Sequence, residues 1–292
     1  MELRQLRYFQ LVSRLGSVSR AAERCHVAQP AISIAIKKLE DEFGIQLFDR
    51  SQKRFSLTFE GNIYLQRVDK ILTLVEDSVI EMNDYRTLQK GVIRIGIPPM
   101  LGAFLFPYIF SKFQQVYPHW TLDTVEGGTL AIQTQLERGE LDVGVIILSA
   151  MSVHLETLPI TTGELAVCLP HEHPLSIFPR ISMEQLRDEP FILLHEDAYS
   201  RQLVIEECLK CQFSPRIVFS SSQIETILGL VEQGAGISFL IDTIVQKHSN
   251  IISRPLAEPL CIKIGLAWNK DRYLSKASHA FINFIKDYPF SL

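Results

Sequence analysis

Between Asn62 and Lys90 the chain carries neither glycine nor proline. Within that stretch Tyr64, Val68, Ile71, Leu72, Val75, Val79 and Met82 recur at mixed three- and four-residue spacing, which predicts one continuous helix. Thr58 stands at its head as a cap. A helix of about 28 residues is roughly 42 Å long. That is too long, and the far side too polar, for an element buried in one domain core. The chain is therefore expected to fall into two parts joined by this helix, with the apolar stripe paired to a second copy; the plainer alternative is that it packs on the chain's own body.

The part before it reads as short helices. Leu3, Leu6, Phe9, Leu11 and Val12 give a first helix ending near Leu15-Gly16. Ser17 is placed to cap a second, Val18 to Arg24, whose Ala21-Ala22 pair lets another helix cross closely. After a turn from Cys25 to Ala28, a third helix is predicted from Gln29 to about Phe43, with Pro30 in its first turn and Gly44 as its stop. Ile32, Ile36 and Leu39 lie on its inward stripe, while Gln29, Ser33 and Lys37 repeat every four residues on an outward one. Short polar groups near a helix start, with a cation further along, suit an end entering a major groove. Taken alone, that row is the solvated face of an amphipathic helix.

The residues after Gly44 shift the reading towards DNA. Leu47–Arg50 and Phe55–Thr58 predict two short strands around Ser51-Gln52-Lys53-Arg54. A hairpin with cations at its tip, directly after a helix-turn-helix, is a wing; Arg50, Lys53 and Arg54 would meet phosphate or a narrow minor groove. Charge agrees: residues 1–62 hold ten Lys or Arg against seven Asp or Glu, whereas the remainder holds 19 against 26. A basic head on an acidic body fits a polyanion partner for the head.

The run A-A-E-x-x-x-V-A-Q-P-A-I-S-x-x-I-K-x-L-E (Ala21 to Glu40), then F-G-x-x-L-F-D-R (Phe43 to Arg50) and L-T-x-E-G (Leu57 to Gly61), closely resembles the LysR-type transcriptional regulators. The resemblance implies that the helix starting at Gln29 is the recognition helix, with Gln29, Pro30 and Ser33 on double-stranded promoter DNA. It further implies dimerisation through the long helix, a homotetramer (a dimer of dimers) on an interrupted palindrome, and contact with RNA polymerase. Two positions depart from the pattern. Ala28 stands where a capping Ser is frequent, forfeiting about 1 kcal/mol. Ile34 stands where Arg is frequent; it can touch a thymine methyl but cannot read guanine.

Gly91 opens a different pattern. Strands are predicted at Val92–Ile97, Trp120–Val125 and Leu141–Leu148, with helices at Leu101–Tyr117 and Leu130–Arg138 between them. A second set comes next: strands near Glu164–Leu169, Phe191–Leu194, Arg216–Phe219 and Gly236–Leu240, with helices near Met183–Arg187, Arg201–Cys211 and Gln223–Gln233. A late strand, Cys261–Trp268, and a closing helix, Ser275–Lys286, can return to the first set. The fold class is α/β: a winged helix-turn-helix, a linker helix and two lobes built on parallel sheets. The expected boundaries are 1–58, 59–90 and 91–292, with lobe I as 91–161 plus 266–292 and lobe II as 162–265. The crossings are placed near Thr161-Thr162 and Gly265-Leu266. G-E-L-D-V-G-V (Gly139–Val145), H-P-L (His173–Leu175) and V-E-x-G-x-G-I (Val231–Ile237) carry the resemblance further. It implies a periplasmic-binding-protein-like region with an effector between the lobes.

Ligands of open α/β sheets collect at the carboxyl ends of strands. Pro99, Met100, Thr129, Ile147, Ser200 and Arg201 fall there, and a small, anionic effector is expected, with Arg201 as its partner. The plainer roles are core packing for Met100, helix caps for Thr129 and Ser200, and a solvent-facing charge for Arg201. Pro99 and Met100 replace the Ser or Thr frequent in that loop of the family.

Catalytic patterns are missing: no P-loop, no dinucleotide G-x-G-x-x-G after a strand, no G-x-S-x-G elbow. No enzyme activity, cofactor or metal is expected. Cys208-x-x-Cys211 has no second ligand pair, and His171-Glu172-His173 is expected in a surface loop. Five scattered cysteines make a poor disulfide framework. With no apolar run near the ~20 residues of a membrane span, and no signal-like start, a cytoplasmic protein is expected. Two rivals are a cytosolic solute-binding-like protein without DNA function and an enzyme on a doubly wound scaffold.

Overall fold

Caps and breaks set the first helices. α1 (Leu3–Leu15) ends at Gly16, whose left-handed backbone (φ 59°) returns its N–H to the Val12 carbonyl. Ser17 caps α2 (Val18–Cys25), accepting the Arg20 N–H. α3 (Gln29–Phe43) begins after Ala28, which offers no side-chain cap, and stops at Gly44. A computed structural model describes residues 1–49, 56–86, 91–148, 152–246 and 248–288. The chain divides into two units, Met1–Asn83 and Asp84–Leu292.

In the first unit, Phe9, Ile32, Ile36 and Leu39 are buried in one core. A hairpin comes after α3, β1 (Phe48–Asp49) antiparallel to β2 (Ser56–Leu57). The expected tip cations Arg50, Lys53 and Arg54 lie outside the described residues. Glu40, buried at the end of α3, accepts the Leu47 and Phe48 N–H groups at 2.9 and 3.2 Å, tying helix to hairpin. Hydrogen bonds to a charged group contribute about 1.5–3 kcal/mol.

α4 (Phe59–Arg86) is the long helix, and Thr58 caps it: the Gly61 N–H reaches Thr58 Oγ1 at 2.9 Å. A Cβ on Gly61 would lie 2.1 Å from the Leu47 carbonyl oxygen, so only glycine lets the helix start against the hairpin. The stripe of α4 divides in a way its period does not reveal. Val68 and Leu72, expected at a subunit interface, are buried in the unit's own core. The reason is α1: Gln10 and Arg14 bond to Asp69 at 2.6 and 3.4 Å and hold that face of α4 down. Ile63, Leu74, Val79 and Met82 stay exposed.

The second unit opens with β3 (Val92–Ile97), α5 (Pro99–Phe104), α6 (Phe106–Val116), β4 (Thr121–Glu126), α7 (Thr129–Glu137) and β5 (Val143–Leu148). The single helix expected over 101–117 is two, because Pro107 has no N–H to continue the ladder. β3 pairs in parallel with β4 and β5. Next come β6 (Leu155–Pro170), β7 (Pro190–Leu193), α8 (Tyr199–Lys210), β8 (Arg216–Ser220), α9 (Ile224–Glu232), β9 (Ser238–Ile241), α10 (Asp242–Val245), β10 (Ile251–Asn269) and α11 (Lys276–Asp287).

β6 and β10 are far longer than the expected Glu164–Leu169 and Cys261–Trp268. They pair antiparallel from Ile251 opposite Pro170 to Asn269 opposite Leu155. Pro159, Pro255 and Pro259 read as strand breakers, yet they fall at or beside the two register shifts, where ladder bonds are interrupted anyway. Through this ribbon the sheet runs β4-β3-β5-β10-β6-β9. It is mixed rather than parallel: β10 joins β5 through Lys263–Ala267, and β6 joins β9 through Leu165–Cys168, both antiparallel. β7 and β8 form a separate parallel pair. The residues expected at the lobe crossings fall on these two paired strands, Thr162 opposite Lys263 and Leu266 opposite Leu158.

Candidate functional site

In the first unit the outward row of α3 is open. Gln29, Pro30, Ser33, Ile34 and Lys37 are exposed, while Ile32, Ile36 and Leu39 are buried beneath them. Ile34 is 56% exposed, an apolar side chain held out among polar neighbours. Ser19 of α2 donates to Gln29 Oε1 at 3.3 Å and restrains that side chain. Sequence reasoning missed Ser19; its only signal was a polar residue on the helix that packs on α3. The arrangement offers amide, hydroxyl, methyl and ammonium groups in one row, the chemistry that reads base edges and meets phosphate.

In the second unit the expected effector residues separate into two kinds. Met100 and Ile147 are core, 1% and 2% exposed, in the cluster that also holds Ile95 and Leu228. Pro99 is half-buried beside them. α5 packs on α9 and α10, so the apolar core continues from one set of strands to the other. Arg201 is not a loose charge: its guanidinium donates to the Leu194 carbonyl at 2.8 Å and to Ser220 Oγ at 2.7 Å. Ser200 is buried near the head of α8.

Thr129 differs from all of these. It is 1% exposed, and its hydroxyl has no hydrogen-bond partner. Nor does it cap α7, whose N-cap is Gly128. A buried polar group left so costs about 1–3 kcal/mol. Beside it the loops after β4 and β7 meet: the Gly128 N–H donates to Asp197 Oδ2 at 2.7 Å, and the Leu130 N–H to the Asp197 carbonyl at 3.2 Å. Asp197 was not foreseen, since a lone loop aspartate has no periodic signature.

Three of the thiols are held away from the thiolate form. Burial pushes Cys168 and Cys208 up to about 12, away from the thiolate that metals and disulfide exchange require. Cys211 is also raised, by burial and then by Glu184. Among the described residues no cluster of three or more His, Cys, Asp or Glu side chains is placed to hold a metal ion. No described helix is long and apolar enough to cross a membrane.

Comparison with known proteins addresses both units. Residues 3–62 match the model of the bacterial regulatory helix-turn-helix protein, lysR family, and residues 86–289 that of the LysR substrate binding domain. The uncharacterized HTH-type transcriptional regulator YwbI of Bacillus subtilis is 34% identical, over 99% of this chain and 97% of its own. A probable RuBisCO transcriptional regulator of Synechocystis is 29% identical, over 96% and 84%. Among solved structures, a point variant of full-length OxyR from Pseudomonas aeruginosa superposes with a TM-score of 0.67 at 28% identity, covering 98% of this chain and 95% of that one. The effector binding domain of QuiR in complex with shikimate does so at 0.62 and 27%, covering 68% and 97%.

Proposed function

Because this chain belongs to the LysR family of transcriptional regulators, we propose that it reads promoter DNA with the outward row of α3 and answers to a small molecule held between two lobes. It is a regulator with a helix-turn-helix DNA-binding domain and an effector-binding domain, and its family is not one of enzymes. The observation that carries the DNA reading is the pairing of a buried apolar stripe with an exposed Gln29-Ser33-Lys37 row on one helix. Gln29 and Ser33 read bases, Ile34 favours a thymine methyl, and Pro30 sets the helix start. Lys37, with Arg50, Lys53 and Arg54, meets phosphate or the minor groove. With bound sites recovered by genome-wide mapping, Gln29→Ala is expected to cost about 1–3 kcal/mol of discrimination at one base position. Unchanged discrimination with binding retained would displace the reading face.

The proposed boundaries are 1–58 for DNA binding, 59–90 for the linker helix and 91–292 for effector binding. Lobe I then comprises 91–161 and 266–292, and lobe II 162–265. Pro99, Thr129, Ser200 and Arg201 surround the effector's place, with Met100 and Ile147 as the apolar core beneath it, the unpartnered Thr129 hydroxyl as the direct contact and Arg201 holding the loop. The QuiR domain holds a small molecule, shikimate, and that supports a ligand of similar size here. RNA polymerase in the cytoplasm is the machinery such a regulator acts upon.

Exposed Leu74, Val79 and Met82 support a second copy on α4, and a dimer of dimers as the working form. Val79→Glu would place an unpaired charge in that contact. Sedimentation is expected to shift towards monomer, and an assembly of undiminished mass would contradict this interface.

A further inference from the structure

We propose that Asp197 latches the two lobes together when no ligand is bound, occupying at the head of α7 the place that a small carboxylate would take. The inference rests on reading this junction as the effector site. Two bonds cross it, from the Gly128 N–H to Asp197 Oδ2 at 2.7 Å and from the Leu130 N–H to the Asp197 carbonyl at 3.2 Å. Both donors are amides at a helix start, without partners inside the helix, where the aligned peptide dipoles favour negative charge. The second observation is Thr129, in the first position of the same helix, 1% exposed and with its hydroxyl unpartnered.

Gly128 shows that the sequence is fitted to this contact. Its backbone, φ −65° and ψ 158°, is one that any residue adopts. A Cβ there, however, would lie 2.3 Å from the Asp197 carbonyl carbon and oxygen and 2.4 Å from its carboxylate carbon. Glycine is needed for room, not for conformation. From the other side, Arg201 pins the loop through the Leu194 carbonyl and Ser220, and the Ala198 N–H closes a turn on the His195 carbonyl. Asp197 is thus presented by a rigid turn. A ligand with a carboxylate and a second hydrogen-bonding group replaces the Asp197 bond and satisfies Thr129. That difference between states is what shifts a lobe equilibrium.

Hydrogen–deuterium exchange on the full-length protein tests this, using Asp197→Ala, Asp197→Asn and Gly128→Ala. Each is measured with sodium acetate and with sodium chloride at equal ionic strength. Asp197→Ala and Gly128→Ala are expected to raise exchange in peptides covering 127–132 and 195–202 by roughly tenfold or more, with β3 unchanged. Asp197→Asn, which keeps an acceptor oxygen, raises it less. Acetate restores protection in Asp197→Ala but not in Gly128→Ala, whose methyl fills the space; chloride restores neither. Wild-type exchange in both variants, or a rise spread through β3 as well, would overturn the latch. Raised exchange that acetate leaves untouched would overturn the carboxylate place. The variants read the latch and the acetate arm reads the site, so the two failures separate.

Discussion

Phe9→Ala is expected to abolish operator binding while leaving the second unit folded. Phe9 is 0% exposed, with its ring 5.3 Å from that of Phe48 and 5.1 Å from that of Tyr64. It therefore joins α1, the hairpin and α4 at one point. Truncating a buried phenylalanine costs about 3–5 kcal/mol. A unit the size of Met1–Asn83 holds only about 4–12 kcal/mol in total, so much of it unfolds and α3 loses its support. Calorimetry should show the transition of the first unit lowered or lost, with that of the second in place. Equal shifts of both transitions would contradict two separately stabilised units.

The same truncation in the larger unit should have a different consequence. Phe113 is 0% exposed and lies 4.9 Å from Tyr117, 5.0 Å from Phe281 and 5.4 Å from Phe284, measured between ring centroids. Those rings fasten α11 to α6, which is how the end of the chain returns to the first strands. Phe113→Ala again removes about 3–5 kcal/mol. Here the loss is spread over a unit of more than 200 residues. Its midpoint should fall by about 10 °C rather than vanish. DNA binding at 25 °C should persist. Loss of the second unit's transition altogether would mean that this aromatic cluster, rather than the crossing ribbon, holds the lobes.

The helix-turn-helix was legible because its signals are local. Ser17 and Thr58 cap as expected, Gly44 stops α3, and the Ile32-Ile36-Leu39 stripe is buried. What the sequence concealed depends on distant partners. Prolines 159, 255 and 259 suggest breaks, and only the pairing of β6 with β10 turns them into irregularities within long strands. Hydrophobic period identifies a stripe on α4 but not its partner; Val68 and Leu72 met α1 instead of a second copy. Near the proposed effector site, Arg201 was foreseen as a ligand group, but its charge is directed to Leu194 and Ser220. Asp197 bonds to a residue 69 positions earlier, a separation at which no local pattern operates.

The proposed reading of duplex DNA by α3 is the property on which the regulator's other functions would depend. Its most direct measurement is fluorescence anisotropy of the full-length protein on two duplexes, one recovered by genome-wide mapping and one with the same bases shuffled. Salt is varied from about 50 to 200 mM, the range over which phosphate contacts weaken binding by orders of magnitude. Binding to both duplexes should fall steeply with salt, with a preference of about 1,000-fold or more for the recovered sequence. Equal affinity for the two duplexes, or affinity indifferent to salt, would contradict α3 as the reader.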